Sequence, residues 1–318
     1  MMKKGKKISI IGAGNVGATI AFALAMDGMA SDIALIDINQ EKAKGEAMDI
    51  VQGTPFSHHV DVYAGDYASA KDSDIVVITA GVGRKPGQTR IDLAQINVDI
   101  TKKVIPELMK YAPDAIYIVV SNPVDVLTYT IKKISGLPDS RVFGSGTMLD
   151  TARLRSAIAD YVGLQVQNIH ADVLGEHGDT SMIPWSLATI AGMPMEQYFE
   201  KECARHKTAD RIELAQFLEN MQKAGGKIIS AKGATYYAIA SSVRKLCESV
   251  IRDVNTIHTV SGMLTGQYGV SDVCVSLPFV IGAEGVGRAI EIPMTDAERA
   301  QFVDSANAIK DIIKSLAI

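Results

Sequence analysis

Residues 8–17, with the sequence ISIIGAGNVG, contain the strongest indication of the fold of this 318-residue chain. Ile8 to Ile11 form a short apolar run typical of a buried strand, and the next six residues fit the pattern G-x-G-x-x-G. A helical pattern follows as far as about Met29. Glycines at the first two positions allow a tight turn and close approach of a phosphate, and the third allows close helix packing. The stretch therefore predicts a strand, a phosphate-binding turn and a helix.

A carboxylate at the end of the next strand indicates which ligand this turn binds. Gly12, Gly14 and Gly17 are followed by a second strand, 34–37, that closes on Asp37, at the spacing of an acid that binds a ribose. The charge of Asp37 would repel a 2′-phosphate, so the sequence predicts NAD rather than NADP.

The first half of the chain alternates short apolar runs with helix-length segments. Continuously apolar strands are buried on both faces, which indicates a parallel sheet with helices on both sides. We therefore predict a Rossmann-type, doubly wound α/β domain over residues 1–145. The predicted strands are 8–11, 33–36, 60–63, 75–79 and 116–120.

The second half has a different pattern. Helical patterns surround β-rich runs such as 273–281, and short loops between strands favour antiparallel pairing. We predict an α+β substrate domain over residues 146–318, packed directly on the first. Its predicted helices are 147–161, 208–224, 227–253 and 295–316.

Composition excludes several classes of protein. The formal charge is -4, and no long basic run follows the first seven residues, which argues against nucleic-acid binding. Cys203, Cys247 and Cys274 show no CxxC spacing, which predicts reduced thiols in a cytoplasmic protein without a zinc site.

The lysine-rich N-terminus resembles a secretory signal at first sight. The apolar stretch behind it is interrupted by glycines and continues into a further strand, so we interpret it as part of a folded domain. No other segment is long and apolar enough to span a bilayer, and we expect no membrane association.

Several polar residues are candidates for a site at the carboxyl ends of the strands, where open parallel sheets bind ligands. Thr79, Ala80 and Gly81 occupy one such end, and Asn122 in Ser121-Asn122-Pro123 occupies another. Each could also be an ordinary strand-ending turn.

His177, between Gly175 and Gly178, is the candidate acid-base group. Its unperturbed pKa lies near the working pH, so it could exchange a proton with an alcohol or ketone. A lone histidine is more often structural. Asp150 and Arg153 share one helical face, compatible either with a mutual ion pair or with two groups that face one cleft. Arg90 alone would be interpreted as a solvated surface residue.

Taken together, these stretches resemble the lactate and malate dehydrogenases, and the lactate branch more closely. The resemblance covers both halves in the family's order, through residues 12–17, 79–81, 85–90, 121–125, 146–153, 175–180 and 232–237. It implies that His177 is the proton donor and acceptor and that Asp150 orients it. It further implies that Arg153 binds the substrate carboxylate and that Arg90, on a mobile loop, polarises the reacting carbonyl.

The resemblance also defines the expected ligand sites. Substrate binding is expected at Arg84, Arg90, Asn122, Arg153 and Thr235. Cofactor binding is expected at Gly12, Gly14, Val16, Gly17, Asp37, Lys42, Tyr67, Thr79, Ala80, Gly81, Val82, Val120, Asn122 and Ser145.

The residues that indicate the substrate disagree with one another. Arg84 stands where lactate enzymes commonly carry glutamine and resembles the malate enzymes, where arginine pairs with the second carboxylate of oxaloacetate. Gly175-Glu176-His177, Trp185-Ser186 and Thr235 look lactate-like. We expect pyruvate and L-lactate as substrates, with oxaloacetate as the alternative.

Arg155 and His170 match the pair that binds fructose 1,6-bisphosphate between subunits in allosteric bacterial lactate dehydrogenases. The resemblance thus implies that this sugar phosphate is an activator and that the chain forms a homo-oligomer, a tetramer in our expectation. Each residue could equally be an ordinary solvent-facing side chain.

Three other classes of protein are alternatives. A non-catalytic NAD sensor would keep the fold without the chemistry, and the joint presence of His177, Asp150, Arg153 and Arg90 speaks against it. A metal-dependent hydrolase would need HExxH or clustered ligands, and a serine hydrolase would need G-x-S-x-G; the sequence has none of these patterns.

Overall fold

The computed structural model describes residues 5–83, 87–206 and 214–318. A nine-stranded sheet forms its centre, with strand order β12-β11-β10-β6-β5-β4-β1-β2-β3. A small sheet with the order β7-β8-β9 lies apart from it.

Six parallel strands form one side of the large sheet, which confirms the predicted doubly wound α/β class. They are β1 Lys7–Ile11, β2 Asp32–Ile36, β3 Asp61–Gly65, β4 Ile75–Ile78, β5 Ile116–Val119 and β6 Val142–Gly144. All residues of β4 and β5 are buried, as continuously apolar strands require. The sequence analysis did not predict β6, whose three residues are too few for a recognisable pattern.

Helices connect these strands. They are α1 Asn15–Asp27, α2 Gln40–Gly53, α3 Arg90–Met109 and α4 Val124–Ser135. The turn between β1 and α1 and the ends of β4, β5 and β6 lie on the same edge of the sheet, because parallel strands all end there.

The antiparallel strands of the second half extend the same sheet. They are β10 Thr256–Thr265, β11 Ser271–Gly282 and β12 Gly285–Ala289. Ser261 of β10 pairs with Gly144 of β6, and this contact joins the two halves into one sheet. The small sheet contains β7 Ile169–His170, β8 Thr189–Ile190 and β9 Met193–Pro194.

The remaining helices are α5 Met148–Val162, α6 Met195–His206, α7 Leu214–Lys232, α8 Tyr237–Ile251 and α9 Asp296–Ser315. The predicted continuous helix over 227–253 was wrong, because α7 ends at Lys232 and α8 begins at Tyr237. Gly233, with φ +84°, turns the chain out of the helix. The predicted helix at 208–224 begins outside the described residues, and its described part continues to Lys232.

One apolar core unites the large sheet with its helices. A second core lies between α5, α6, α7 and the small sheet. None of the helices in the described ranges combines the length and apolar character that crossing a membrane requires.

Candidate active site

The turn between β1 and α1 depends on glycine for steric reasons. Gly12 has φ +105°, and a Cβ there would lie 2.9 Å from the Ala80 amide nitrogen. A Cβ on Gly17 would lie 1.9 Å from the Gly12 carbonyl oxygen. At Gly14, by contrast, a Cβ would meet no atom within 4 Å, and no side chain caps the first turn of α1. The turn thus offers open space and amide donors, which fits a pyrophosphate.

Asp37 lies directly after β2, beside this turn. Its Oδ2 accepts a hydrogen bond from the Ala13 amide at 2.6 Å, and its Oδ1 accepts one from the Asn39 amide at 2.8 Å. The carboxylate is therefore held in place, with lone pairs left for ribose hydroxyls. Burial raises the pKa of Tyr67, and the charges of Glu107 and Asp37 raise it further. Lys42 lies in the first turn of α2, where its amide donates to Asn39.

A cavity of about 470 Å³ opens at the carboxyl edge of the parallel strands. It brings together residues that the sequence analysis placed in the cofactor and substrate sites. They are Val16, Thr79, Gly81, Val82, Val120, Asn122, Ser145, Asp150, Arg153, His177 and Thr235.

Asn97 on α3 is a site residue that the sequence analysis missed. It is 1% exposed, and its Nδ2 donates to the Asn122 carbonyl at 2.7 Å while its Oδ1 accepts from the Val82 amide at 2.9 Å. The side chain thereby joins the loops that follow β4 and β5. A polar residue among the buried positions of an amphipathic helix was the available signal.

His177, Asp150 and Arg153 form one connected group in the cavity. His177 Nδ1 lies 2.5 Å from Asp150 Oδ2, and Arg153 Nη1 donates to Asp150 Oδ1 at 3.0 Å. The Asp150 side chain is 7% exposed, against 25% for His177. The sequence left open whether Asp150 and Arg153 form a mutual ion pair or face one cleft. In the structure both are true, because the two residues pair and both line the cavity.

The electrostatic environment favours a charged pair. Burial by itself would lower the pKa of His177, but the charge and hydrogen bond of Asp150 raise it above its ordinary value. Burial by itself would raise the pKa of Asp150, but His177 and Arg153 lower it overall. Asp150 thus stabilises a protonated imidazole.

The loop that carries His177 is anchored from several sides. Gly175 exchanges two backbone hydrogen bonds with Ser276 of β11, each 2.9 Å long. The Glu176 amide donates to Ser305 Oγ at 2.9 Å, and the His177 amide donates to Asp125 Oδ2 at 2.8 Å. The sequence analysis includes Asp125 only within the matching stretch 121–125 and predicts no role for it.

Arg90 is the first residue of α3, where a capping box between Thr89 and Asp92 starts the helix. The expectation that Arg90 belongs to a loop therefore differs from the structure. Its Nη2 pairs with Asp179 Oδ2 at 2.5 Å, and Asp179 lines the cavity. The pair is largely exposed, with side-chain accessibilities of 56% and 72%. Arg84 lies outside the described residues.

Arg155 lines a different cavity, together with Thr151 and His258. Its Nε donates to the Ala171 carbonyl at 2.8 Å and its Nη2 to Asp172 Oδ1 at 2.7 Å. His170 is exposed and directly precedes these two partners. His170 therefore lies one residue before the backbone that Arg155 contacts, and neither His170 nor Arg155 lines the cavity that contains His177.

A dinucleotide-type turn, an imidazole paired with a carboxylate and an arginine beside them define the class of NAD-dependent dehydrogenases that act on small hydroxy acids. In the part of the chain that the structure describes, no group of three histidine, cysteine or acidic side chains could hold a metal ion.

The chain belongs to the lactate/malate dehydrogenase family. Residues 6–144 match the family's NAD binding domain, and residues 147–317 match its alpha/beta C-terminal domain.

Relatives of known name and structure support this assignment over the whole chain. The L-lactate dehydrogenase of Acetivibrio thermocellus is 47% identical over 313 residues, 98% of each chain. L-lactate dehydrogenase 1 of Clostridium acetobutylicum is 46% identical over 99% of this chain and 100% of its own. The crystal structure of the minor L-lactate dehydrogenase from Enterococcus mundtii superposes with a TM-score of 0.93 at 38% identity, covering 98% of this chain and 99% of that one.

Proposed function

We propose that the protein catalyses reversible hydride transfer between NADH and pyruvate, giving L-lactate and NAD+. The observation that carries this proposal is the contact of 2.5 Å between His177 Nδ1 and Asp150 Oδ2 in a cavity that Arg153 also lines. The relatives cited above are named L-lactate dehydrogenases and match nearly the full chain, which favours the lactate reaction over the malate reaction.

His177 serves as the acid and base. With Nδ1 held by Asp150, Nε2 is the nitrogen that can give a proton to the developing alkoxide of the substrate and take it back in the reverse direction. Asp150 fixes the ring orientation and stabilises the imidazolium form.

Arginine side chains bind and polarise the substrate. Arg153 pairs with the carboxylate of the 2-oxo acid, for which a planar guanidinium provides two parallel donors. Arg90 leaves Asp179 and polarises the carbonyl as the cavity closes over the substrate, an effect that grows when water is excluded. Asn122 and Thr235, both in the cavity wall, complete the polar contacts.

NAD fits the residues present, and the bound nicotinamide supplies or accepts the hydride. Gly12 and Gly14 would let the pyrophosphate approach the turn, Gly17 would keep α1 packed closely against it, and Asp37 would hold the ribose hydroxyls. A variant with Asp37→Ser should lose much of its preference for NADH over NADPH, because the charge that repels a 2′-phosphate is gone. Ratios of kcat/KM for the two cofactors test this assignment, and an unchanged ratio would contradict it.

The substrate is tested by comparing kcat/KM for pyruvate with kcat/KM for oxaloacetate, with both rates measured from NADH absorbance. We expect pyruvate to be preferred. Arg84→Gln then measures whether that side chain contributes to the choice between the two. A failure of the intact protein to oxidise NADH with either acid would leave only a nucleotide-binding function.

We further propose that fructose 1,6-bisphosphate activates the enzyme by binding Arg155 and His170. Arg155 would exchange its ion pair with Asp172 for the phosphate. Activity measured against activator concentration, with Arg155→Gln as the variant, tests this site: the variant should lose the activation and keep its basal rate.

A homotetramer is proposed on the family resemblance and on exposed apolar side chains around α1 and α2. Phe22, Met48 and Phe56 are 49%, 62% and 92% exposed. Light scattering on the purified protein measures the mass directly.

We place the domain boundary between Ser145 and Gly146. The free, buried thiols of Cys247 and Cys274 support a reducing, cytoplasmic location.

A further inference from the structure

Asp125, the second residue of α4, is a buried carboxylate that the reaction described above does not use. It is 2% exposed. One oxygen, Oδ2, accepts the His177 amide at 2.8 Å. The other, Oδ1, has no hydrogen-bond partner among the described residues, and neither does Ser261 Oγ on β10. Burial raises the pKa of Asp125 to about 6, although the nearby Ser261 hydroxyl lowers it in part.

The groups that face Asp125 come from several elements. The charge of His177 lowers the pKa of Asp125, whereas the charge of Glu176, on the same loop, raises it. Cys274 of β11 lies close enough for the charge of Asp125 to help raise the thiol pKa, after the larger effect of burial. Asp125 is therefore a carboxylate whose favourable electrostatic partner is the catalytic imidazole.

The hydrogen bond to the His177 amide does not by itself explain a carboxylate at this position. An amide or hydroxyl side chain could accept that bond without the cost of removing a charge from water. A buried charge without a permanent counter-ion indicates that the charge itself has a use.

We propose that Asp125 is a positioning residue of the proton-transfer site: its carboxylate holds the backbone of His177 against α4, and its negative charge favours the protonated imidazole. The proposal rests on the proposed role of His177. Asp125 acts from the backbone side of the loop, whereas Asp150 acts on Nδ1 from α5. Arg153 opposes both by lowering the pKa of His177.

The variant Asp125→Asn separates the two parts of the proposal, because its amide oxygen can still accept the His177 amide while the charge is lost. The pH midpoint of kcat/KM for pyruvate reduction should move to lower pH. On the high-pH side the rate should fall roughly twofold to fivefold, while the low-pH rate stays close to that of the wild type. A merely structural defect would lower the rate evenly and leave the midpoint unchanged.

A histidine NMR titration provides a readout that does not need turnover. The His177 resonance, assigned with His177→Asn, should titrate at lower pH in Asp125→Asn than in the wild type. Asp272→Asn is the matched control, since Asp272 pairs with the exposed Lys133 at the surface. Its titration and kinetics should equal those of the wild type.

Ser261→Ala is a second variant, which keeps the proposal testable if Asp125→Asn folds poorly. Without the hydroxyl, Asp125 should lose its charge at higher pH, so the His177 titration should move in the same direction by a smaller amount. Unchanged His177 titration in both variants would overturn the proposal. A different result is a His177 titration that moves in Asp125→Asn while the wild type shows no turnover with NADH and any 2-oxo acid. That result would overturn the proposed function and leave the Asp125 inference standing.

Discussion

Replacing Asp150 by asparagine is the most direct test of the proton-transfer group. The Asp150 carboxylate accepts two charge-assisted hydrogen bonds, from His177 and from Arg153, with its side chain 7% exposed. A hydrogen bond to a charged group contributes about 1.5–3 kcal/mol, whereas a neutral one contributes about 0.5–1.5 kcal/mol. Asp150→Asn therefore removes about 1–1.5 kcal/mol per bond, or about 2–3 kcal/mol in total.

The bond to His177 alone accounts for about a tenfold loss of rate, since each 1.36 kcal/mol corresponds to about a factor of ten. The full loss corresponds to about 30-fold to 150-fold. We thus expect kcat/KM for pyruvate near neutral pH to fall between about 10-fold and 150-fold, measured by NADH absorbance. NADH affinity, measured by fluorescence titration, should change little, because Asp150 is not among the residues assigned to the cofactor.

The control is Asp160→Asn, an exposed acid on the same helix. This substitution removes a charge from α5 at a residue that does not line the cavity, so the kinetics of the variant should equal those of the wild type. An Asp150→Asn enzyme that kept about half or more of the wild-type kcat/KM would refute the reasoning, because Asp150 would then contribute too little to His177 to be its orienting partner.

Three further predictions concern separate parts of the site. Arg153→Lys should raise KM for pyruvate at least about tenfold with unchanged NADH affinity, because lysine cannot form the paired contacts of a guanidinium; initial rates at varied pyruvate check it. Gly17→Ala should destabilise the protein by about 1–3 kcal/mol in urea unfolding, because its Cβ would lie 1.9 Å from the Gly12 oxygen. The raised pKa of His177 keeps the imidazole protonated above its ordinary range, so pyruvate reduction should decline as pH rises through that pKa while lactate oxidation increases; pH profiles in both directions measure this.

Local sequence signals were sufficient for five of the six parallel strands. The glycine turn at residues 12–17 is dictated by sterics within a few ångströms, and a run such as 75–78 is apolar throughout because both its faces are covered. Such features are encoded by neighbouring residues and are readable from one chain.

The joining of the two halves into one sheet was not encoded locally. It depends on the pairing of Ser261 with Gly144, residues far apart in the chain. A three-residue strand provides no periodicity that could predict such a partner. The break between α7 and α8 was similarly missed because Lys232 and Tyr237 both fit a helical pattern, whereas the backbone leaves the helical conformation over residues 233–236 between them.

Two aspartates of the site show why residue type alone could not assign the chemistry. Asp150 and Asp125 both belong to helix starts and are both nearly fully buried, yet the pKa of Asp150 is lowered and that of Asp125 is raised to about 6. The difference arises from Arg153 and the direct contact with His177 Nδ1, which Asp150 has and Asp125 lacks. As pH falls through about 6, Asp125 therefore loses its charge first while Asp150 stays ionised. The imidazole then keeps the partner that orients its ring but loses the charge behind its backbone, so its affinity for a proton weakens where protons become abundant. That dependence follows from three packed elements, α4, α5 and the His177 loop, and from no single stretch of the sequence.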